Sequence, residues 1–250
     1  MSRRFTFAAG QLADGRVTFD RDESHHLARV LRLRPGDTVV ASSGDGVDHT
    51  VRLDVVGDVA TGTVIATRAR ASESPLAVTL IQGVPKGDRM EAIVRAATEL
   101  GVAHVVPVVT ERTVVRLDTA RWRERARRWH RVAKEATKQC GRAVVPDVDV
   151  PEPLDACLDA IGPLPAGELR LCVWEGATAP LDEALDGAAG ATTVRALVGP
   201  EGGLTRGEVE HARRRGFVVA SLGPRILRTE TAGPTVLAIL QFRLGDLARR

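Results

Sequence analysis

The chain has 250 residues, of which 44% are hydrophobic and 27% are charged, the balance of an ordinary globular protein with a large core. No apolar run approaches the ~20 residues of a bilayer-spanning helix, and we expect no signal peptide before Phe5. The net charge of +3 is weak evidence for a nucleic-acid partner. The chain has only three lysines and many arginines, which fits either phosphate binding or a GC-rich genome that favours arginine codons.

The cysteines favour a reducing, cytoplasmic location. Cys140, Cys157 and Cys172 are odd in number and lack C-x-x-C spacing, so we expect neither a disulfide framework nor a zinc site. We also expect no metal at His25 and His26, because adjacent histidines on a helix point to different faces and no other ligand stands at a suitable spacing.

Residues 1–72 are predicted to form a separate β-rich domain. A short helix capped by Asp22 interrupts the strands, and Gly44-Asp45-Gly46 predicts a hairpin. Many short strands with regular turns favour a small barrel. The predicted strands are 3–7, 17–19, 38–41, 47–55 and 62–67. Five arginines of this domain are candidates for RNA phosphate contacts, with a solvated basic face as the alternative: Arg3, Arg4, Arg29, Arg32 and Arg34.

The small, polar segment ARASESP at 69–75 predicts the domain boundary, so that 73–250 form the second domain. Strand 76–82 comes first. Asp88 and Glu91 then predict a capping box at the start of a helix that ends at Gly101. Strand 102–109 follows, and Pro107 predicts an edge or a bulge there because proline lacks the N–H donor.

Residues 121–142 are the most basic part of the chain. Trp122 and Trp129 recur at helical spacing with small apolar residues, which predicts that both are buried. The opposite, basic face is either solvated or bound to RNA backbone, and the net excess of positive charge favours RNA. Cys140 is predicted to be a small buried residue.

Strand–loop–helix order repeats in the C-terminal third of the chain, which predicts a parallel α/β sheet. Strand 169–174 ends at Glu175-Gly176, and strand 194–198 ends at the glycine-rich turn 199–203. Thr205 and Glu208 predict a capping box, and strand 217–222 leads to a second turn and a final helix reaching about Leu247. The loops should meet at the carboxyl edge of the sheet, where open sheets bind ligands. Neither a dinucleotide-binding nor a P-loop motif is present.

Two motifs, GPEGGLT at 199–205 and LGPRILRTETA at 222–232, closely resemble those of the RsmE family. These are 16S rRNA uridine-N3 methyltransferases of the SPOUT (trefoil-knot) superfamily. The resemblance implies an α/β fold, with an N-terminal PUA-like β-barrel and a C-terminal knotted methyltransferase domain with a mostly parallel sheet. It also implies an S-adenosylmethionine site built from both loops, a homodimer, and 16S rRNA of the small ribosomal subunit as partner. HHLARVLRLRPGD (25–37) and KGDRMEAIVRAATELGV (86–102) resemble the corresponding family segments.

The resemblance also implies roles for individual residues. Trp174 either borders the adenosine or packs in the core. The cofactor-binding candidates are Trp174, Glu175, Val198, Gly199, Pro200, Glu201, Gly202, Leu222, Gly223, Ile226, Leu227 and Thr229. Further RNA-binding candidates are Lys86, Arg89, Arg112, Lys138, Gln139 and Arg142.

The implied chemistry needs a group that handles a proton. Uridine N3 carries a proton at neutral pH, so the site must supply a base or groups that stabilise the uracil anion. Arg228 is the candidate for electrostatic stabilisation. Glu201 and Glu230 are the possible bases, with Glu201 assigned to the cofactor side and Glu230 as the weaker base candidate. Pro234 departs from the expected alanine-rich continuation, but a proline within the first helical turn costs no hydrogen bond.

Two other functions stay open from the sequence. The chain could methylate another RNA position, such as a ribose 2′-hydroxyl or a guanine. It could instead be a non-catalytic RNA-binding protein of ribosome assembly, which would leave the paired glycine loops without a purpose.

Overall fold

In a computed structural model, which describes residues 4–69 and 73–248, the chain divides into two compact units. The first consists of Met1–Glu73 and Thr137–Val145, and the second of Ser74–Ala136 and Pro146–Arg250. The short excursion of residues 137–145 into the N-terminal unit is not part of the sequence prediction. Arg3, a predicted RNA contact, lies outside the described residues.

The first unit is built on a six-stranded sheet in the order β1-β4-β5-β6-β3-β2. Strands β1 and β4 pair in parallel, and every other pair is antiparallel. The strands are β1 (Arg4–Thr6), β2 (Leu12–Ala13), β3 (Arg16–Thr18), β4 (Thr38–Ser42), β5 (Val47–Val55) and β6 (Thr61–Ala69). Its core contains Phe5, Phe19, Leu27, Val51 and Leu53. The predicted hairpin between β4 and β5 is present.

The first helix, α1 (Arg21–His25), begins earlier than predicted and continues as a π-helical turn over His26–Val30. Asp20, not Asp22, is its N-cap, since the Asp20 carboxylate accepts a hydrogen bond of 2.8 Å from the backbone N–H of Glu23. An aspartate at either position could cap a helix, but the helix begins at Arg21, so Asp20 is the residue at the N-cap position.

The second unit is built on a seven-stranded, all-parallel sheet, which confirms the predicted fold class. The strand order is β10-β8-β7-β12-β11-β13, and β9 also pairs with β8. The strands are β7 (Ala77–Gly83), β8 (Val102–Val109), β9 (Asp147–Val148), β10 (Glu152–Pro153), β11 (Glu168–Val173), β12 (Thr193–Val198) and β13 (Val218–Ala220). Strand β12 lies between β7 and β11, and its apolar side chains, Val194, Ala196, Leu197 and Val198, are buried.

Six helices complete the described fold. They are α2 (Arg89–Glu99), α3 (Thr119–Cys140), α4 (Leu154–Ala160), α5 (Leu181–Asp186), α6 (Arg206–Arg214) and α7 (Thr229–Arg243). Trp122 and Trp129 of α3 are buried, as predicted. Cys140, at the end of the same helix, is exposed, so the prediction of a buried residue there is wrong. None of the described helices is both long and apolar enough to cross a membrane.

The two predicted capping boxes have different outcomes. Thr205 and Glu208 form the predicted reciprocal pair of hydrogen bonds at the start of α6. At the start of α2, Asp88 makes no side-chain capping bond, so the predicted box is wrong. Glu91 instead forms a salt bridge of 2.6 Å with Arg128 of α3, a long-range partner that outcompetes the local cap.

Two prolines occupy unusual positions. Pro107 lies between the residues of β8 that pair with β9 and those that pair with β10, so no outer strand needs its missing N–H donor. Pro234 is the sixth residue of α7, which begins at Thr229. The expectation that it belongs to the first turn is therefore wrong, and its missing donor removes the helical hydrogen bond to the carbonyl of Glu230.

Candidate functional site

A cavity of about 980 Å³ lies within the second unit, at the carboxyl edge of its parallel sheet. The residues that follow β11, β12 and β13 form its walls, and the start of α7 closes it. Ligands of open parallel sheets bind in this position because loops from neighbouring strands converge there. The volume lies at the upper end of the range of ~300–1,000 Å³ found for small-molecule sites.

Every predicted cofactor-binding residue lines this one cavity. They are Trp174, Glu175, Val198, Gly199, Pro200, Glu201, Gly202, Leu222, Gly223, Ile226, Leu227 and Thr229. Arg228 and Glu230, the predicted catalytic pair, line it as well, and so does Arg89. Gly203, Pro224, Arg225 and Ala232, which belong to the two motifs but were not assigned individually, also contribute to the wall. The sequence did not single out five further wall residues, which are Val173, Ala177, Thr178, Pro180 and Ser221.

Glycines let the loops of the cavity approach one another closely. A Cβ on Gly83, the last residue of β7, would lie 2.4 Å from Cδ of Pro200. Gly203 has a φ of +69°, and a Cβ there would lie 2.4 Å from the Glu175 carboxylate. The turn 199–203 therefore rests directly on β7 and on the loop after β11, and side chains at these glycines would displace it.

Gln82 fastens this turn to the start of α7. Its buried amide Nε2 donates to the hydroxyl Oγ1 of Thr229 at 2.9 Å and to the carbonyl of Gly83 at 3.0 Å. The Thr229 hydroxyl donates in turn to the carbonyl of Gly199 at 2.8 Å. Gln82 is not among the residues predicted from the sequence, although a single polar residue in the apolar run AVTLIQGV is a signal for it.

Gly233 completes this arrangement. A Cβ at this position would lie 2.8 Å from Oε1 of Gln82. The Gly233-Pro234 pair, which departs from an alanine-rich helix start, therefore makes room for the buried amide that holds the two loops together.

Arg89 bridges the two carboxylates of the cavity. Its Nη1 lies 2.5 Å from Oε1 of Glu201, and its Nε lies 3.5 Å from Oε1 of Glu230. Glu201 also accepts a hydrogen bond of 2.9 Å from the backbone N–H of Lys86. Arg89, predicted to contact RNA, is thus engaged with the predicted base candidates.

Glu201 is held in its ionised form. Partial burial on its own would raise the pKa of this carboxyl. The opposing hydrogen bonds, from its own backbone N–H, from Lys86 and from the Arg89 guanidinium, outweigh burial and bring the pKa below its ordinary value. A carboxylate with a lowered pKa is a weaker proton acceptor, so this environment favours a binding role for Glu201.

Glu230 has a different environment. Its Oε2 is buried and has no hydrogen-bond partner among the described residues, so one acceptor oxygen of this carboxylate is unpaired. Arg228 is the N-cap residue of α7 and makes no side-chain capping bond. Its side chain is exposed at the positive end of the helix dipole.

Three of the predicted RNA contacts are held in internal ion pairs. Arg4 pairs with Asp48 at 3.1 Å. Lys138 pairs with Glu23, whose side chain is 2% exposed. Arg142, with a side chain 8% exposed, donates to Glu73 at 2.6 and 3.0 Å. The pairing of all three, with the burial of Lys138 and Arg142, favours a structural role over RNA contact. The sequence could not show this because each partner is distant along the chain.

The other predicted RNA contacts lie at the surface. Arg29, Arg32 and Arg34 are exposed on the first unit, and Arg32 has a positive φ of +52°. The remaining candidates, Lys86, Arg112 and Gln139, are exposed too, and Nη1 of Arg112 donates to the carbonyl of Gly202 at 2.9 Å. Across the described residues, no group of three or more His, Cys, Asp or Glu side chains has the arrangement of a metal site.

Comparison with known proteins matches both units. Residues 72–241 match the family described as RNA methyltransferase domain, and residues 19–57 match the RNA methyltransferase PUA domain. A Bacillus subtilis protein named ribosomal RNA small subunit methyltransferase E is 32% identical over 97% of each chain. A Synechocystis protein of the same name is 34% identical, over 95% of this chain and 77% of its own.

A solved structure is also similar. The crystal structure of a ribosomal RNA small subunit methyltransferase E from Neisseria gonorrhoeae, bound to S-adenosylmethionine, is 33% identical. It superposes with a TM-score of 0.88, over 99% of this chain and 100% of its own.

Proposed function

Since the chain belongs to the family of ribosomal RNA small subunit methyltransferase E, we propose that it methylates the RNA of the small ribosomal subunit with S-adenosylmethionine as methyl donor. The observation that carries this function is the cavity at the carboxyl edge of the sheet, which is lined by all the residues of the two family motifs assigned to the cofactor. Relatives named for this reaction support it, as does the similar structure with the cofactor bound.

The cavity has the features that a cofactor of this size and shape needs. The turn 199–203 offers backbone groups at close range because its glycines carry no side chains. Trp174, whose indole N–H donates to the carbonyl of Leu204 at 3.2 Å, gives an aromatic wall beside this turn. These residues would hold S-adenosylmethionine, which supplies an electrophilic methyl group when bound.

We place the methyl group on N3 of a uridine, as the resemblance of the two motifs implies. This nitrogen must lose a proton to become a nucleophile. Glu230 is the acceptor best supported by the structure, because it lines the cavity and one of its carboxylate oxygens, Oε2, has no hydrogen-bond partner among the described residues. Glu201 is less suited to accept this proton, because its pKa is lowered and its Oε1 accepts a hydrogen bond from Arg89.

Arg228 and the N-terminus of α7 stabilise the uracil anion that forms when the proton leaves. Arg228 is exposed at the cavity wall, and the first residues of the helix, Thr229 and Glu230, line the same cavity. The first N–H groups of a helix lack helical partners and carry partial positive charge. Such preorganised positive groups act where charge develops in the transition state, and this makes them effective in catalysis.

The assembly and location of the protein follow from the same family membership. We propose a homodimer in the cytoplasm, where ribosomal subunits are assembled, and a reaction that needs no metal ion. Phe242 of α7 and Leu247 beyond it are 61% and 52% exposed, and a second copy would cover such large apolar side chains. Light scattering of the purified protein tests the dimer.

Methyl transfer from radiolabelled S-adenosylmethionine tests the proposed function. The acceptors are small ribosomal subunits from cells that lack the modification, and subunits from unaltered cells are the control. We expect label in the RNA of the first kind of subunit and little in the second. Tight binding to subunits with no transfer would contradict the enzyme and favour a ribosome-assembly protein.

The preferred substrate is the shaped, partly or fully assembled particle rather than a short strand. The described part of the chain offers few aromatic residues as stacking platforms for single-stranded RNA. In the same assay, equal methylation of a short naked oligonucleotide and of the small subunit would contradict this preference.

A further inference from the structure

Three arginines form a row on helix α3. Arg123, Arg127 and Arg131 are all exposed. They stand four residues apart, so they lie on one face, about 6 Å from one to the next along the axis. Like charges at this spacing destabilise a helix, and the row is therefore unfavourable for α3 itself.

The other arginines near the start of this helix do have partners. Arg121 pairs with Asp118, Arg125 reaches the carbonyl of Gly87, and Arg128 pairs with Glu91. In contrast, no hydrogen bond or salt bridge links Arg123, Arg127 or Arg131 to any residue of the described chain. The row thus presents three positive charges to solvent, each with its full set of N–H donors.

Helix α3, which carries the row, is attached to a segment that contributes to the cavity wall. Arg125 and Arg128 attach α3 to residues 87–91, which include Arg89 of the cavity wall. The arginine row lies on the same turns of α3 as these two contacts. The buried Trp122 and Trp129 fix the rotation of the helix, so this face cannot turn inward.

We propose that Arg123, Arg127 and Arg131 form a phosphate-binding row that holds the RNA strand next to the cavity. Regularly spaced guanidinium groups suit a polyanion with regularly spaced phosphates, and each can bond two phosphate oxygens. The row positions the RNA and reads no sequence. This inference rests on the proposed function. It adds an RNA-binding surface that lies outside both family motifs.

The test measures RNA binding and methylation by the variant Arg123→Gln/Arg127→Gln/Arg131→Gln over a range of salt concentrations. The probe is unmodified small subunits. Loss of three phosphate contacts should reduce the slope of log K against log salt by about 2 to 3. We expect KM for subunits to rise about tenfold or more at ~0.1 M salt, while kcat and the Kd for S-adenosylmethionine stay unchanged.

Two control variants separate this role from general charge effects. Arg123→Lys/Arg127→Lys/Arg131→Lys keeps the charges and should keep most of the salt dependence. Arg213→Gln/Arg214→Gln removes charge from the exposed face of α6 and should leave the slope unchanged. The proposal would be overturned if the glutamine triple variant kept the wild-type slope of log K against log salt. It would also be overturned if the α6 variant lost as much slope per removed charge as the triple variant.

The outcomes also separate this proposal from the proposed function. If the wild type methylates small subunits and the glutamine triple variant does so with the same KM and salt slope, only the proposed role of the arginine row is wrong. If the wild type binds subunits through the row but transfers no methyl group, the row stands and the enzymatic function fails. Wild-type protein without affinity for the subunit would overturn both.

Discussion

At the scale of single residues, Glu201 and Glu230 share one guanidinium and differ in their environments. Arg89 lies within 2.5 Å of Glu201 and 3.5 Å of Glu230. Glu201 gains a further hydrogen bond from Lys86, whereas one oxygen of Glu230 has no partner among the described residues. Because the surrounding donors are distributed unequally, we propose separate tasks for these two carboxylates.

Glu230→Gln tests the task of proton acceptor. The amide cannot take a proton, and loss of a general base reduces rates by about 10²- to 10⁴-fold. We expect kcat to fall by that amount while the Kd for S-adenosylmethionine, measured by calorimetry, stays within about twofold. Glu201→Gln is the matched variant, and it should weaken cofactor binding more than kcat. A larger loss of kcat in Glu201→Gln than in Glu230→Gln would reverse the assignment.

The lowered pKa of Glu201 predicts how cofactor binding depends on pH. Since the folded-state pKa lies below the ordinary value of about 4.3, the carboxylate is ionised at neutral pH. The contribution of the Arg89–Glu201 pair is complete above the ordinary pKa and disappears as the pH falls through the lowered one. Titration calorimetry should find affinity independent of this group between about pH 6 and 8.

Arg89→Ala is the companion experiment to this pH profile. Without the guanidinium the pKa of Glu201 should rise toward its ordinary value, and the acid limb of the profile should move to higher pH. Arg89→Lys, which keeps a positive charge, should move it less. If the profile of Arg89→Ala coincides with that of the wild type, the bridge does not control the carboxylate.

At the scale of elements, the cavity depends on close contact between the turn 199–203 and strand β7. Gly83→Ala would put a methyl group 2.4 Å from Pro200 and force the turn outward. Overpacking of this kind costs about 1–3 kcal/mol, so cofactor affinity should fall about tenfold or more. Gly162→Ala, with nothing within 4 Å of its Cβ, is the control. Equal affinities of the two variants would show that the turn tolerates the displacement.

The three cysteines should differ in reactivity because of the elements that carry them. Burial raises the pKa of Cys172, in β11, to about 12. Burial, with the nearby negative charge of Glu152, raises the pKa of Cys157, in α4, to about 12 as well. Both stay as unreactive thiols at pH 8, whereas Cys140 is exposed at the end of α3. Mass spectrometry after brief alkylation should find label on Cys140, and rapid native labelling of Cys172 would contradict the packing of the sheet.

The sequence predicted elements well where local chemistry decides and less well where distant partners compete. Thr205 and Glu208 form their capping box because the distant partner of Glu208, the backbone N–H of Glu111, binds Oε1 and leaves Oε2 for the backbone N–H of Thr205. Asp88 and Glu91 have an equally good local pattern, but Arg128 from another helix draws Glu91 away. Gln82 carries no local motif, and only the folded chain reveals that it joins Gly199 to Thr229.

At the scale of the whole molecule, the fold class and the walls of the cavity could be predicted because strand–loop–helix order fixes which loops share a sheet edge. The division of the basic helix α3 between the two units could not be predicted from the sequence. Residues 137–145 belong to the N-terminal unit, and the pairs Lys138–Glu23 and Arg142–Glu73 span many residues of sequence. The knotted backbone and the two-domain boundary at 72/73 stay predictions from the resemblance and from composition.

The identity of the methylated nucleoside tests the central claim most directly. RNA from small subunits labelled by the purified protein is digested to nucleosides and separated by chromatography with mass detection. We predict that the label elutes as 3-methyluridine and that it maps to a single site. Label on a ribose 2′-hydroxyl or on a purine would contradict the assignment of N3 and of Glu230 as its base, even though the fold and the cofactor cavity would stand.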